Sequence, residues 1–345
     1  MGKLLVFGYF GTLNFGDEWT LASFLRGCRQ LGLSEEECIV VSRNPSLTKS
    51  EHGVLTVSRR FSDIGRAMQE CQWVVGCGGS LLQDVTSFRS LAFYCWLIWI
   101  AKSMGKKVAL IGQGLGPLQR PLSRRLARIA LGLCDWVAFR DPVSFQLAQQ
   151  LGASTSHCIV AADLTFLWDD LPPLQPTYSL AVNLRPLSRA WNEPALWTIL
   201  GEWAEDRQRF LLLPLQPLAD ELALRPLAER FPSDWWAYRH WRDGLEGIAR
   251  SQFLLAMRLH ALIAACLLQV PFVGLSYDPK VDSVLGQAAS EHLVSLDEIL
   301  SRLVETLQQV SERWDLEGRD RIAEFVQRQR HAAQRNWEFL STVTW

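Results

Sequence analysis

Phe253-Leu-Leu-Ala-Met-Arg-Leu-His-Ala-Leu-Ile-Ala-Ala-Cys-Leu-Leu-Gln-Val-Pro-Phe-Val-Gly-Leu-Ser-Tyr-Asp-Pro-Lys280 is the stretch on which the fold turns. Phe253 to Met257 is apolar and reads as a strand. Arg258 and His260 fall where that strand meets a helix, Ala261 to Leu268, which is almost wholly apolar and so expected to be buried. Pro271 stops the helix, and Pro271 to Leu275 reads as a second buried strand. Ser276-Tyr-Asp-Pro-Lys280 is a polar turn. In a βαβ unit with a parallel sheet, both strands end on one edge. Arg258, His260, Asp278 and Lys280 are therefore expected at the carboxyl ends of neighbouring strands, where open α/β sheets bind ligands. A single Arg or His at such a place is an ordinary capping or surface residue. Four ionisable residues against two apolar elements are costly to bury without a purpose. Two fixed cations beside a titratable imidazole suit an anionic substrate that needs a proton moved.

The same alternation runs through the chain before this stretch. Leu4 to Gly8 is a strand that opens into Gly8-Tyr-Phe-Gly-Thr-Leu-Asn-Phe-Gly-Asp-Glu18, and a helix follows from about Trp19 to Leu31. Glycines let backbone approach a ligand, and a helix start offers N–H groups to an anion. The spacing G-x-x-G-x-x-x-x-G is neither the dinucleotide fingerprint nor a P-loop. Asp17 and Glu18 suit helix capping as well as catalysis. Ile39 to Ser42 and Val54 to Val57 are strands, and Ser62 to Glu70 is a helix capped by Ser62 or Asp63. Trp73 to Gly76 is a strand leading into Gly76-Cys-Gly-Gly-Ser-Leu-Leu-Gln-Asp84, then a helix from about Ser87 to Met104. Lys107 to Ile111 runs into Gly112-Gln-Gly-Leu-Gly-Pro117. Ser123 to Leu133 is a helix with Arg124, Arg125 and Arg128 on a solvated face. Val137 to Phe139 ends at Arg140-Asp141-Pro142, and Ile159 to Ala162 ends at Asp163.

Asp169-Asp-Leu-Pro-Pro-Leu-Gln-Pro-Thr177 holds three prolines and reads as a stiff interdomain linker. Beyond it come strand Leu180 to Leu184 ending at Arg185-Pro186, helix Pro194 to Glu205, strand Phe210 to Leu213 ending at Gln216, and helices Asp220 to Arg230 and Asp243 to Arg250. The Trp-rich segment 234–241 stays unassigned. Ser295-Leu-Asp-Glu298 reads as a capping box starting a helix to about Val310, and a charged helix runs from about Arg319 to Phe339. Regular strand–helix alternation implies α/β architecture with parallel, doubly wound sheets. The expected organisation is two Rossmann-like domains facing across a cleft, 1–168 and 178–315, with 316–345 a C-terminal helix packing back on the first.

Size and composition agree. A chain of 345 residues has the length of two ordinary domains, and its 48% hydrophobic content supplies two cores. A net charge of −1 argues against a nucleic-acid partner. The eight cysteines form no C-x-x-C pair and read as buried hydrophobes in a reducing cytosol, neither disulfides nor metal ligands. The N-terminus lacks a signal-peptide pattern. Leu91 to Ala101 is too short to span a bilayer and reads as a buried helix or a peripheral membrane contact. Most of the fifteen tryptophans read as packing residues, with exposed ones suited to stacking on sugars.

The blocks Gly8–Glu18, Gly78-Gly-Ser-Leu-Leu-Gln-Asp-Val-Thr-Ser87, Gly112–Pro117, Phe139-Arg-Asp141, Met257-Arg-Leu-His260 and Ser276–Lys280 occur in the order found in polysaccharide pyruvyltransferases. Over residues 4 to 290 the chain resembles that family, and the CsaB type of bacterial cell-wall biosynthesis in particular. The resemblance implies a GT-B-like fold and transfer of pyruvate from phosphoenolpyruvate to two hydroxyls of a sugar, with release of phosphate. It implies a lipid-linked or nucleotide-linked glycan acceptor, a cytoplasmic setting at the inner membrane face, and no cofactor. The donor carries a carboxylate and a phosphate, so it calls for cations. His260 is assigned as general acid, Arg258 and Lys280 as phosphate ligands and Arg140 as carboxylate ligand. Asp17 is the base, with Asp278 in reserve. Asn14, Gly79, Ser80, Gln83, Asp84, Gln113 and Asp278 are candidate acceptor or loop contacts, and no metal ligand is assigned. A nucleotide-sugar glycosyltransferase and a non-catalytic glycan-binding protein are the competing readings.

Overall fold

The computed structural model describes residues 3–85, 87–187, 193–204 and 210–338. The expected helix ends at Glu205 and Phe339, and Thr86 of the second glycine block, lie outside the described residues. The chain divides into two compact units. Unit 1 is Met1–Thr12, Asp17–Leu167 and Gln329–Trp345; unit 2 is Leu13–Gly16 and Trp168–Arg328.

In unit 1, strands β1 (Lys3–Phe7), β2 (Cys38–Ser42), β3 (Leu55–Ser58), β4 (Cys71–Cys77), β5 (Lys107–Gln113), β6 (Trp136–Phe139) and β7 (Cys158–Val160) form a seven-stranded sheet in the order β3-β2-β1-β4-β5-β6-β7. Every pairing in it is parallel. Helices α1 (Phe15–Gln30), α2 (Pro45–His52), α3 (Phe61–Glu70), α4 (Phe88–Ser103), α5 (Pro121–Leu133) and α6 (Pro142–Gln150) connect the strands. Successive side chains of a strand point to opposite faces, and the cores follow that rule. Leu5, Phe7, Val74 and Leu110 pack with Ile64, Leu91, Ile98 and Leu131 of α3, α4 and α5. Leu4, Val6, Val75 and Ile111 pack with Leu21, Phe24 and Leu25 of α1. Each such fully buried side chain contributes about 1.5–3 kcal/mol.

In unit 2, β8 (Leu180–Asn183), β9 (Phe210–Leu212), β10 (Ser233–Trp235), β11 (Leu254–Ala256), β12 (Phe272–Ser276) and β13 (Leu293–Ser295) form a second parallel sheet in the order β10-β9-β8-β11-β12-β13. Its helices are α7 (Glu193–Ala204), α8 (Ala219–Arg230), α9 (Trp241–Ala249), α10 (Leu259–Leu268), α11 (Pro279–Ala289) and α12 (Ile299–Arg313). The apolar helix expected after Arg258 is α10, and every residue from Ala261 to Leu268 is buried. In each sheet the strand order reverses once, between β1 and β4 and between β8 and β11. These are the topological switch points at whose carboxyl ends ligands bind.

Several expectations are corrected. Helix α1 begins at Phe15, four residues before Trp19, because the Asn14 side chain accepts the Gly16 N–H at 3.1 Å and Phe15 N–H donates to Leu215 O at 2.9 Å. Helix α2 went unpredicted. Helix α3 has Arg60 at its cap, and Asp63 instead accepts from Ser58 Oγ at 2.6 Å. Ser295 caps only a short 3-10 turn, and Glu298 pairs with Arg302 at 2.9 Å. The proline-rich segment is docked on unit 2, with Gln175 and Thr177 N–H donating to Ala249 and Arg250 carbonyls at 3.0 and 2.8 Å. The Trp-rich segment contains β10 and the first residue of α9, where Trp241 is buried and Trp235 exposed.

The last helix, α13 (Arg319–Gln334), passes from one unit's residues to the other's, since Gln329 onward groups with unit 1. There Asn336 is fully buried, its Oδ1 accepting the Gly112 N–H at 2.7 Å and its Nδ2 donating to Ala162 O at 2.9 Å. Trp337 stacks on Phe24 with ring centroids 5.4 Å apart, in space left by Gly27. The eight cysteines are free, and burial pushes the Cys71 and Cys95 thiols up to about 12. Helix α4 is less buried than expected, with Trp99 56% exposed. Among the described residues no helix is long and apolar enough to cross a membrane.

Candidate functional site

In unit 2, register puts β8 beside β11 and β11 beside β12, with Asn183 opposite Ala256 and Ala256 opposite Gly274. Each strand then ends in a polar residue two or three positions on: Arg185 after β8, Arg258 after β11, Tyr277 after β12. Neighbouring strands lie about 4.8 Å apart, so register alone gathers these three at one edge. Helix α10 starts there with Arg258 at its N-cap and no side-chain cap. Its first turn carries His260, and its dipole points positive charge at the same edge.

Arg258 is held from below. Its Nε donates to Asp220 Oδ2 at 2.7 Å, and its Nη2 donates to Asp220 Oδ1 at 2.5 Å and to Gln216 Oε1 at 2.9 Å. Asp220 is fully buried and also accepts from Asn183 Nδ2 and the Gln216 N–H, both at 3.1 Å. Its carboxylate thus has two charged donors and two neutral ones, as a buried anion requires. Asn14 Nδ2 donates to Gln216 Oε1 at 3.4 Å, which joins the first glycine loop to this network. The same loop passes His260. A side chain at Gly16 would collide with the imidazole, so only glycine lets the helix start lie against it.

Asp278 caps α11, accepting the Lys280 N–H at 3.1 Å, and its other oxygen meets Lys280 Nζ at 3.2 Å. Tyr277 lies between two cations, with Arg185 Cζ 4.9 Å and Lys280 Nζ 5.4 Å from its ring centre. Burial alone would raise its phenol, but Lys280 and Arg185 outweigh burial and hold it below the usual tyrosine value.

The edge of unit 1 is built differently. Arg140 is buried, donating to Asp163 Oδ2 at 3.3 Å and to Ser80 Oγ at 3.2 Å. Gln113 Nε2 donates to the Gly79 and Gly114 carbonyls at 3.1 and 2.7 Å, locking the loops after β4 and β5 together. Asp84 accepts the Gln119 and Arg120 N–H groups at 2.8 and 3.0 Å. Burial would raise that carboxyl, but these donors and Ser123 hold it below the usual carboxylate range. Gln83 accepts the Val85 N–H at 2.8 Å. Gly78 and Gly79 take left-handed φ of 63° and 68°, and Asp17 Oδ1 stands 3.3 Å from where a Gly79 side chain would begin.

Glu18, expected as a cap, reaches back along the chain. It is fully buried, and its Oε1 accepts the Gly11 and Thr12 N–H groups at 2.8 and 3.1 Å while its Oε2 meets His52 Nε2 at 3.3 Å. With Glu51 it forms a Glu-Glu-His group whose ligand atoms lie within 4.8 Å of one another, an arrangement able to hold a metal ion. No metal ligand was expected from sequence, because Glu51 and His52 lie in the unpredicted α2.

Of the residues singled out by sequence, unit 2 gathers Asn14, Arg258, His260, Asp278 and Lys280 at one edge. Unit 1 gathers Asp17, Gly79, Ser80, Gln83, Asp84, Gln113 and Arg140 at another. Sequence reasoning missed Asn183, Asp220, Arg185, Tyr277 and Gly16. Asp220 lies in the first turn of α8, and Gln216 in the loop before it folds back so that its N–H donates to the Asp220 carboxylate.

The family model described as polysaccharide pyruvyl transferase matches residues 14–279. Three solved structures share the fold. Anabaena Alr3699/HepE in complex with UDP and glucose matches with TM-score 0.64 and 12% identity over 99% of this chain and 100% of that one. UDP-GlcNAc 2-epimerase from Neisseria meningitidis bound to UDP-GlcNAc gives the same TM-score, identity and coverage. S. aureus MnaA with UDP gives 0.67 and 11% over 100% of this chain and 98% of that one. Two Rossmann-like α/β domains of GT-B type are common to all.

Proposed function

The chain belongs to the polysaccharide pyruvyl transferase family, and we propose that it takes pyruvate from phosphoenolpyruvate and closes it as a ketal over two hydroxyls of a sugar in a cell-wall or surface polysaccharide precursor. The observation that supports this most is the edge of unit 2, where Arg258 and His260 stand at the switch point of the sheet and Lys280 at the end of the next strand. A small, doubly anionic donor needs that chemistry.

The reaction begins with a proton from His260 to the methylene carbon of the donor, which leaves an oxocarbenium-like centre at the adjacent carbon. One sugar hydroxyl adds there and gives up its proton to a carboxylate, for which Asp17 is the proposed group and Asp278 the alternate. The bond to phosphate then breaks, phosphate departs, and the second hydroxyl closes the ketal as its proton leaves with the phosphate. The proton held by the carboxylate returns through solvent to His260, so in sum one hydroxyl proton ends on the methyl and the other on the phosphate. Lys280 and Arg258 hold the departing phosphate. Asp220 fixes the plane of the Arg258 guanidinium before the donor arrives. Arg140, in unit 1, is proposed for the donor carboxylate on the strength of its sequence block. The transfer as written calls for no cofactor.

The fold neighbours were solved with UDP, UDP-GlcNAc or UDP with glucose, which supports an acceptor carried on a nucleotide or lipid diphosphate. Such acceptors are cytoplasmic or lie at the inner membrane face, and we place the reaction there. Incubation with phosphoenolpyruvate and a panel of diphosphate-linked glycans tests the proposal. Phosphate release with addition of a pyruvyl ketal, detected by mass, is the expected result. UDP release from a nucleotide sugar without any use of phosphoenolpyruvate would replace it with a glycosyltransferase.

A further inference from the structure

Three cations stand at the carboxyl edge of unit 2, and charge balance separates them. Arg258 is neutralised by Asp220, and Lys280 by Asp278 at 3.2 Å. Arg185 has no carboxylate within ion-pair distance among the described residues. Its Nη1 donates to Tyr277 Oη at 2.9 Å, and its backbone N–H lies 3.5 Å from Met257 Sδ. Its Nε is buried with no hydrogen-bond partner.

A guanidinium has five donors in a rigid plane, and a desolvated donor left unpaired is unfavourable by an amount comparable to a lost hydrogen bond. A second cation, Lys280, stands on the same tyrosine ring. Two cations on one ring repel, and the ring compensates only in part. The phenol accepts from Arg185, which leaves its own O–H free to donate. A guanidinium and a phenol that fix each other, with a flexible ammonium beside them and excess positive charge, are a receptor for an oxyanion.

We infer that Arg185 and Tyr277, together with Lys280, form a phosphoryl-anion subsite at the ends of β8 and β12. The assignment goes beyond the residues proposed for the transfer and rests on that reading only for the source of the phosphate. One chemistry has two sources, the phosphate of the donor or the diphosphate linking the acceptor glycan. The excess charge requires an oxyanion in either case.

The test separates binding from turnover. Calorimetric titration of wild-type protein with inorganic phosphate and with pyrophosphate is expected to show binding of at least one. Arg185→Gln should weaken it at least about tenfold, as loss of a charged hydrogen bond does. Tyr277→Phe should weaken it several-fold, and Arg185→Lys should restore part of it. Arg225→Gln, which removes an exposed arginine of α8, should bind as wild type. Absence of binding to either probe, or an Arg185→Gln protein that binds like wild type, overturns the inference. Should Arg185→Gln not fold, Tyr277→Phe with unchanged binding overturns it equally. In the transfer assay, a raised KM for phosphoenolpyruvate in Arg185→Gln assigns the subsite to the donor. A raised KM for the glycan alone assigns it to the acceptor diphosphate. Wild-type protein that binds pyrophosphate through Arg185 yet transfers no pyruvate keeps the subsite and removes the proposed function.

Discussion

At the carboxyl edge of unit 1, Asp84 holds the Gln119 and Arg120 amides, Asp141 holds Ser144, and Asp163 holds Thr165 and Arg140. At the same edge of unit 2 stand Arg185, Arg258, Lys280 and His260, with Arg258 held by the fully buried Asp220. Both sheets are parallel and both reverse their order once. Topology therefore selects where a polar edge lies, and residue choice decides what that edge does. In unit 1 the acids bind backbone N–H groups, hydroxyls and the buried Arg140, and so shape loops. In unit 2 Asp220 fixes Arg258 and Asp278 pairs with Lys280, and the positive charge of Arg185 is left for a ligand.

The difference can be broken first at His260. His260→Ala should lower kcat about 10²–10⁴-fold, the usual worth of a general acid, with the unfolding midpoint little changed. A turnover near wild type would remove the imidazole from the mechanism. Gly16→Ala gives a related check. Its φ lies outside the left-handed region, so the added methyl acts by displacing the His260 ring. Loss of kcat without loss of helix content is the expected outcome.

Next in size is the acid beneath the cations. Asp220→Ala leaves the largely desolvated Arg258 side chain without its counter-charge and should destabilise unit 2 by about 3–5 kcal/mol, measured by chemical denaturation. A loss under about 1 kcal/mol would show that the pair behaves as a surface contact.

In unit 1 the corresponding change is smaller and depends on pH. Asp84 has a folded-state carboxyl below its ordinary value, so its stabilisation is fully present above the unfolded carboxylate range and is lost as pH falls through the lower folded value. Asp84→Asn should cost about 1–3 kcal/mol at neutral pH and flatten the acid limb of thermal stability against pH. Unit 2 has the opposite case in His292, which burial pushes below the usual imidazole value despite its bond to Phe272 O at 3.1 Å. The unfolded chain takes up that proton first, so unit 2 should begin to lose stability as pH falls through about 6.5. His292→Gln should remove that slope. An unchanged slope would assign the sensitivity to another group.

Much of this was legible in sequence, for a physical reason. Strands buried on both faces are continuous apolar runs, and each ends abruptly at Gly, Arg, Asp or Ser, so the first sheet and the four inner strands of the second could be read directly; the short outer strands β10 and β13 could not. Helix α2 was missed because Pro-Ser-Leu-Thr-Lys-Ser-Glu-His has no apolar stripe, although Asn44 at its cap and Gly53 at its end were both signals. The start of α1 was missed because Phe15 and Gly16 look like loop until Leu215 and His260 are in place. Charge pairing was the least legible feature. Arg258 finds Asp220 across 38 residues, and in a linear reading Asp220 is an ordinary helix start. For the same reason Arg185 resembled any other strand end.

The central claim is that the anionic donor binds at the edge of unit 2. Calorimetric titration of phosphoenolpyruvate into wild-type, Lys280→Ala and Arg125→Gln proteins tests it most directly. The account predicts binding at least about tenfold weaker in Lys280→Ala and unchanged in Arg125→Gln, which removes an exposed arginine of unit 1. Equal affinity in all three proteins would contradict it.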